Sequence, residues 1–508
     1  MEGLFPEEQV QGTERIWFLD WAHSFAGSQR PCLVQKFTDQ EIVKSGKKKG
    51  LLLFLCTFSL PLWAETFLAN GIKIGEVTQD SALIWTRLTR HATADVDGVK
   101  FRKVPKHAPQ IPEGKNLADM EGAVPGIAGS VRISWQSQGE EATRTVWLPV
   151  EEKRDFTRKV EIRGLLPGQT YEVQVESRST QGKAGQTIRG KFRTALAPDM
   201  IAPIKFVVTS CQDYPRRDTP KGHKIYPSML KLDPDFFIHT GDIEYYDKAM
   251  PWATNRDLAR FKWNRLYALP HLANFHTQVA SYFMKDDHDT TSNDSWPGVD
   301  FMNLTWEQGK ALFREQFPVR KDNYRTVRWG KDLQIWMVEG RDYRSPNKQP
   351  DGPEKTIWGE KQKEWFFRTF EESDATFRVL ISPTPVVGPD RSSKNDNHAN
   401  KGFTYEGDEI RNFLASQKNT FVVCGDRHWQ YISVDRKTGL KEFSCGSASD
   451  QHAGGWRDGN LLPEHTYLKV QGGFLSMEVT REKGKPVLVA THHDVSGKTS
   501  HIDRNPAN

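Results

Sequence analysis

Four short polar clusters, each closing an apolar run, hold most of the chemistry visible in this sequence. They are Ser210-Cys211-Gln212-Asp213, Thr240-Gly241-Asp242-Ile243-Glu244-Tyr245, Asp286-Asp287-His288-Asp289 with Asn293-Asp294 shortly after, and Gly425-Asp426-Arg427-His428. Carboxylates, an imidazole, a thiol and a phenol gathered in one place repel one another or bury unpaired charge unless cations hold them together. Metal ions are the economical explanation. Thiolate and phenolate favour trivalent iron or another transition metal, whereas Asp and Asn oxygens suit harder ions such as calcium, magnesium or manganese. Taken singly, each cluster has a bland reading: a Gly-Asp after a strand is usually a turn, and a lone Cys or Tyr usually packs. Four together reverse those odds.

The elements that must position these clusters are legible in the pattern of apolar residues. Runs at 206–210, 235–240, 279–284, 333–339, 377–383 and 421–425 alternate with helix-like stretches, the grammar of an α/β sheet. Ligand sites in such sheets gather at the carboxyl ends of the strands, so the four clusters should converge. One helix is expected from Thr356, with Trp358, Trp365, Phe366 and Phe370 near helical spacing. Upstream, from Gly71 to about Thr194, short alternating runs punctuated by Gly and Pro predict a β-sandwich. Within it, LLPGQTYEVQVES, carrying Tyr171, resembles the corner of fibronectin type III domains. A Lys/Pro/Gly-rich segment between Leu88 and Gly129 reads as a long loop, and the two prolines of 196–203 mark the domain boundary.

A chain of 508 residues is too long for one ordinary core. Its 37% hydrophobic and 27% charged residues and 16 tryptophans describe a folded globular protein. The net charge of +5 forms no basic stripe, so no specific nucleic-acid binding is expected. Lys47-Lys48-Lys49, the apolar run 51–63 and Ala64 read as a secretory signal peptide at 47–64, too short for a stable membrane span in the mature chain. Residues 1–46 then form a doubtful N-terminal extension, and export to the periplasm or the exterior is the expected localisation. Processing would leave Cys211, Cys424 and Cys445, an odd number, so at least one stands outside any internal disulfide. Cys424 and Cys445 read as buried thiols in preference to a disulfide.

Five ordered motifs, SCQD, HTGDIEYYD, DDHDTTSND, GRDYRSPN and CGDRHW, resemble those of the PhoD-like alkaline phosphatases, a branch of the metallophosphoesterases, across 203–508. The β-region at 66–198 resembles the domain that precedes the phosphatase domain in that family. The resemblance implies an α/β (α+β) four-layer fold of two packed mixed sheets flanked by helices, preceded by the all-β sandwich. It implies hydrolysis of small phosphate mono- or diesters with iron (Fe3+) and calcium, or another divalent metal. Cys211, Asp242 and Tyr245 would ligate iron, Asp242 would bridge to calcium, and Asn293, Asp426 and His428 would complete the cluster. His288 would sit beside the substrate phosphate, with Arg341 and Arg427 offering forked donors to its oxygens. Two departures from the family pattern stand out: Glu339-Gly340, where relatives often carry Asp and Thr, and Lys285, where many carry tryptophan. His492 and His493 read as structural.

The function expected on this basis is a secreted metal-dependent phosphoesterase, in which bound cations activate a water or hydroxide for in-line attack. No Gly-X-Ser-X-Gly of a serine hydrolase and no His-Glu-X-X-His or Cys-X-X-Cys of a zinc site appears. The alternative is a catalytically inert binding or adhesion protein that works through its β-sandwich. Against it, every alignable ligand position holds a competent side chain.

Overall fold

A computed structural model describes residues 65–508; the signal peptide expected at 47–64 and the extension at 1–46 lie outside the described residues. The apolar runs form strands where the sequence predicts them, and their near-continuous hydrophobicity has a simple cause: both faces are buried. Phe206 and Val208 of strand Ile204–Thr209 face one core while Val207 faces another. Phe236 and Ile238 against Phe237 repeat the alternation in Phe236–His239. In Leu333–Met337, Phe377–Ser382 and Thr420–Cys424 the outward residues are Trp336, Leu380 and Val422, packed on Phe366, Phe370, Ile410 and Leu414. Period-two alternation between two apolar environments produces a sheet sandwiched on both sides.

Two mixed sheets result, one of nine strands and one of seven, packed face to face with helices outside. In the first, Ile204–Thr209, Phe236–His239 and Ala280–Phe283 are parallel neighbours. In the second, Leu333–Met337, Phe377–Ser382, Thr420–Cys424 and Lys441–Cys445 run parallel in that order. This is the expected four-layer arrangement. Helix Glu360–Glu371 begins four residues later than the pattern predicts. The Thr356 hydroxyl accepts the Gly359 N–H at 2.7 Å, and Gly359 turns with φ 71° before the helix starts, so Trp358 belongs to the lead-in.

The β-region at 66–198 is built into the same body. Strand Ile72–Gly75 pairs in parallel with Ala280–Phe283, and Ser81–Arg87 and Thr157–Arg163 extend the nine-stranded sheet beyond it. Gly129–Ser137, Thr143–Arg144, Leu148–Val150, Thr170–Ser179 and Ala184–Arg193 form a separate five-stranded sheet. The two layers close over Ile74, Ile84, Val131, Ile133 and Val175, which join the same apolar cluster as Phe206 and Ile238. Tyr171 makes the corner contact, its hydroxyl accepting the Leu166 N–H at 2.9 Å. All described residues belong to one compact unit, and among them no helix is long and apolar enough to cross a membrane. Cys211, Cys424 and Cys445 are free buried thiols. His492 Nε2–H donates to the Ser444 carbonyl at 3.0 Å, joining the margins of the two sheets, while His493 pairs with Ser476 at 2.8 Å.

Where the two sheets meet, Gly425 leaves no room for a side chain. A Cβ there would lie 2.5 Å from Thr240 Oγ1, 2.7 Å from the Pro383 carbonyl and 2.8 Å from Ser210 Oγ. Gly425→Ala is therefore expected to lower stability by about 1–3 kcal/mol through overpacking, read as a lower urea midpoint; an unchanged midpoint would show this junction to be loose.

Candidate metal centre

Three predicted ligands sit just past strand ends in an unusual backbone conformation. Cys211, Asp242 and Asp426 have φ of 50°, 55° and 60°, in the left-handed region that side chains other than Asn and Asp seldom enter. The neighbouring strand ends hold them there. The Cys211 N–H donates to the Gly241 carbonyl at 3.2 Å, the Gln212 N–H to the Asp242 carbonyl at 2.9 Å, and the Asp426 N–H to Ser210 Oγ at 3.2 Å. Local strain is thus offset by bonds between separate segments, a pattern concentrated at functional sites. Gly241, with φ 114°, permits the close approach of the third cluster: a Cβ on it would stand 2.7 Å from the Asp286 Cβ.

Asp242 is the hub. A ligand atom of Asp242 lies within 4.8 Å of ligand atoms of Cys211 and His428, of Asp287 and His288, and of Asp286 and Asp426. The Tyr245 hydroxyl donates to Asp242 Oδ2 at 3.1 Å and stands 3.4 Å from His428 Nε2, and Cys211 Sγ is 3.6 Å from Asp242 Oδ2. Asp242 Oδ1 is buried and has no hydrogen-bond partner.

Electrostatics define what is missing from such a cluster. Burial, then the neighbouring Asp287, Asp286 and Asp289, pushes the Asp242 carboxyl well above its ordinary pKa. Burial and Asp242 do the same to the Cys211 thiol, and burial, Asp242 and Cys211 to the Tyr245 phenol. Burial and the Arg427 charge hold His428 down to about 3, leaving a neutral imidazole. Each acidic group resists ionising because it is buried and because its neighbours are acidic too; cations would oppose all three shifts together. The orphaned Asp242 oxygen and the sulfur, phenol, carboxylate and imidazole donors fit one or more metal ions.

Five of the six predicted ligands are therefore brought together. Asn293 lies at the exposed rim, and its backbone N–H donates to Asp247 Oδ2 at 2.9 Å; among the described residues its amide makes no hydrogen bond to the other five. His288 packs its ring 4.2 Å from that of Tyr245, with Nδ1 2.6 Å from Asp247 Oδ1. Burial opposes a charged ring, but Asp287 and Asp247 outweigh it and raise the His288 pKa. Arg341 and Arg427 are fully buried. Arg341 forks onto Asp286, with Nη2 at 3.1 Å from Oδ2, and Arg427 holds Asp390 at 2.9 Å and pairs with Asp426. Part of each fork is taken up by protein carboxylates, while Arg341 Nη1 and Arg427 Nε have no hydrogen-bond partner.

Asp286 and Asp287 belong to the constellation, although the sequence reading noted them without assigning them as ligands. Asp247 and Asp289 were missed as supports. Asp289 accepts the N–H groups of Ile243, Glu244 and Asp286 at 2.8, 3.0 and 3.0 Å, tying the second cluster to the third. Its place in the DDHD run was the only available signal. The two departures from the family pattern turn out to be partners: Lys285 Nζ lies 2.9 Å from Glu339 and 2.8 Å from Asp342, with all three side chains shielded from solvent.

Two packed mixed sheets with acidic, thiol, phenol and imidazole groups converging at their strand ends define a metallophosphatase fold. The chain belongs to the PhoD-like phosphatase family: residues 206–471 match the PhoD-like phosphatase domain and residues 61–196 its N-terminal domain. It is similar to alkaline phosphatase D of Bacillus subtilis (strain 168), 22% identical over 437 residues, covering 74% of this chain and 67% of that protein. Its fold matches a solved structure of PhoD with a TM-score of 0.65 at 18% identity, covering 86% of this chain and 88% of that one. A purple acid phosphatase from yellow lupin (Lupinus luteus) seeds matches with a TM-score of 0.58 at 11% identity, covering 85% and 73%. The two structural likenesses concern the fold; family membership makes the chain a phosphatase hydrolase.

Asp289→Ala would strand three buried N–H donors. It is expected to cost about 1–3 kcal/mol of stability and to weaken metal retention about 10–100-fold, measured by urea unfolding and by metal titration of the folded protein.

Proposed function

We propose that the chain is an exported metal-dependent phosphoesterase acting on small phosphate mono- or diesters. The observation that carries this reading is the hub position of Asp242, whose unpartnered oxygen lies among sulfur, phenol, imidazole and carboxylate donors. Cys211, Asp242, Tyr245 and His428 would hold one metal, for which the thiol and phenol favour iron; Asp242 with Asp286, Asp287 and Asp426 would hold harder ions such as calcium. Asn293, at the exposed rim, would complete the second group. Bound metals supply Lewis-acid neutralisation of the phosphoryl oxygens and activation of the attacking water.

The remaining work falls to the chain itself. His288 donates Nδ1–H to Asp247, and in the protonated form that Asp287 and Asp247 favour its Nε2–H is a donor to the phosphoryl group or to the departing alkoxide. Arg341 and Arg427 act through the carboxylates they clamp, fixing Asp286 and Asp426 in place. Export rests on the signal-peptide pattern at 47–64.

Elemental analysis of the purified protein, beside hydrolysis of a chromogenic monoester and diester before and after chelation, tests the reading. Bound iron with calcium and chelator-sensitive hydrolysis are expected; a metal-free, inactive protein even after reconstitution with both ions would overturn it. Asp242→Asn should lose metal and activity together while the urea midpoint of the apo protein is retained. His288→Ala should keep its metal and lose about 10²–10⁴-fold in turnover, and Asp247→Asn should follow it in direction; normal turnover in both would remove His288 from the reaction.

A further inference from the structure

One histidine of the centre has no hydrogen-bonding role in anything described so far. His452 lies on the loop after strand Lys441–Cys445, and backbone bonds fasten that loop to two candidate ligands. The Ala448 N–H donates to the Cys211 carbonyl at 3.3 Å, and the Gly454 N–H to the His428 carbonyl at 3.0 Å. Between these fastenings the His452 ring sits 4.2 Å from the His428 ring and 5.2 Å from the Tyr245 ring, centroid to centroid.

His452 is only 5% exposed; its ring lies against the Cys211 backbone, but neither Nδ1 nor Nε2 completes a well-formed hydrogen bond. Leaving a buried polar group unpaired costs about 1–3 kcal/mol, and such groups in folded proteins call for a specific explanation. An apolar ring would pack there without that cost. The surroundings indicate what the missing partner is. Arg216, at the end of the short helix Tyr214–Arg216 that follows the first cluster, is 39% exposed and only loosely paired with Asp213 at 3.6 Å. Its positive charge acts on both His428 and His452. An imidazole N–H that feels the charge of a partly exposed guanidinium and stacks near His428 and Tyr245 suits an anionic oxygen.

We propose that His452 contacts the substrate, donating its ring N–H to a phosphoryl oxygen of the ester and of the orthophosphate product. This rests on the phosphoesterase reading and adds to it a residue outside the ligand set, supplied by a loop that the cluster itself holds in place. A buried water or a direct bond to metal are the other occupants the ring could serve, and the experiment separates them.

Metal content and orthophosphate binding by calorimetry should be measured on the metal-loaded wild type, H452A and H452Q. The expected result is equal metal content in all three, orthophosphate affinity about tenfold weaker in H452A, and substantial recovery in H452Q, whose amide restores an N–H donor. Unchanged phosphate affinity in H452A with its metal retained would overturn the proposal in favour of a water or packing role. Loss of metal from H452A would overturn it in favour of a ligand role. A wild type that holds no metal and hydrolyses no ester would instead sink the phosphoesterase reading beneath it.

Discussion

Negative charge buried at the ends of parallel strands is the constraint around which this structure is organised. Asp242, Asp286, Asp287 and Asp289 are all within a few per cent of full burial, and each raises the difficulty of ionising its neighbours. Desolvated carboxylates at this density demand positive charge close by. The chain supplies part of it from behind. Arg341 on Asp286 and Asp287, Arg427 on Asp390 and Asp426, and Lys394 between Asp294 and Asp396 form a cationic backing to the acidic cluster. Among the described residues no lysine or arginine makes an ion pair with Cys211, Tyr245 or His428, although the charges of Arg427 and Arg216 are felt at His428, and that is the side where the donor chemistry suits a metal.

Placing so many acids together also dictates backbone geometry. A strand end can bring a side chain to the centre only by turning sharply, which is why Cys211, Asp242 and Asp426 adopt left-handed conformations and why Gly241 and Gly425 cannot carry a side chain without collision. The turns are secured by bonds between segments far apart in sequence, Cys211 to Gly241, Asp426 to Ser210, and Ile243 and Glu244 to Asp289. The two-sheet core and the site are thus linked directly by these bonds. Strand Ile72–Gly75 of the N-terminal β-region adds to this by pairing with Ala280–Phe283, the strand that delivers the DDHD cluster.

The pair Lys285 and Glu339 shows how a local oddity can be a tertiary feature. Each departs from the family pattern at its own position, and each looks like a liability when read alone. Together, with Asp342, they form a buried ion pair directly behind Asp286 and Arg341, where a lysine without its carboxylates would carry an uncompensated charge. Sequence separation hid the relation, since the two residues sit at the ends of strands in different sheets.

What the sequence determined by itself is the set of elements and the kind of chemistry. Strands such as Ile204–Thr209 and Phe377–Ser382 were readable because burial on both faces writes a continuous apolar run, and the ligand types were readable because polar clusters at strand ends have few other reasons to exist. Tertiary structure alone decided which cluster members meet. It gathered Cys211, Asp242, Tyr245, Asp426 and His428, left Asn293 at the rim, turned Arg341 and Arg427 onto carboxylates, set Asp247 of the HTGDIEYYD motif against His288, and brought in His452 from a loop with no pattern of its own. The division has a physical reason: hydrophobic periodicity is set by each segment's own surroundings, whereas a polar side chain's partner is chosen by distances that exist only once the two sheets have packed.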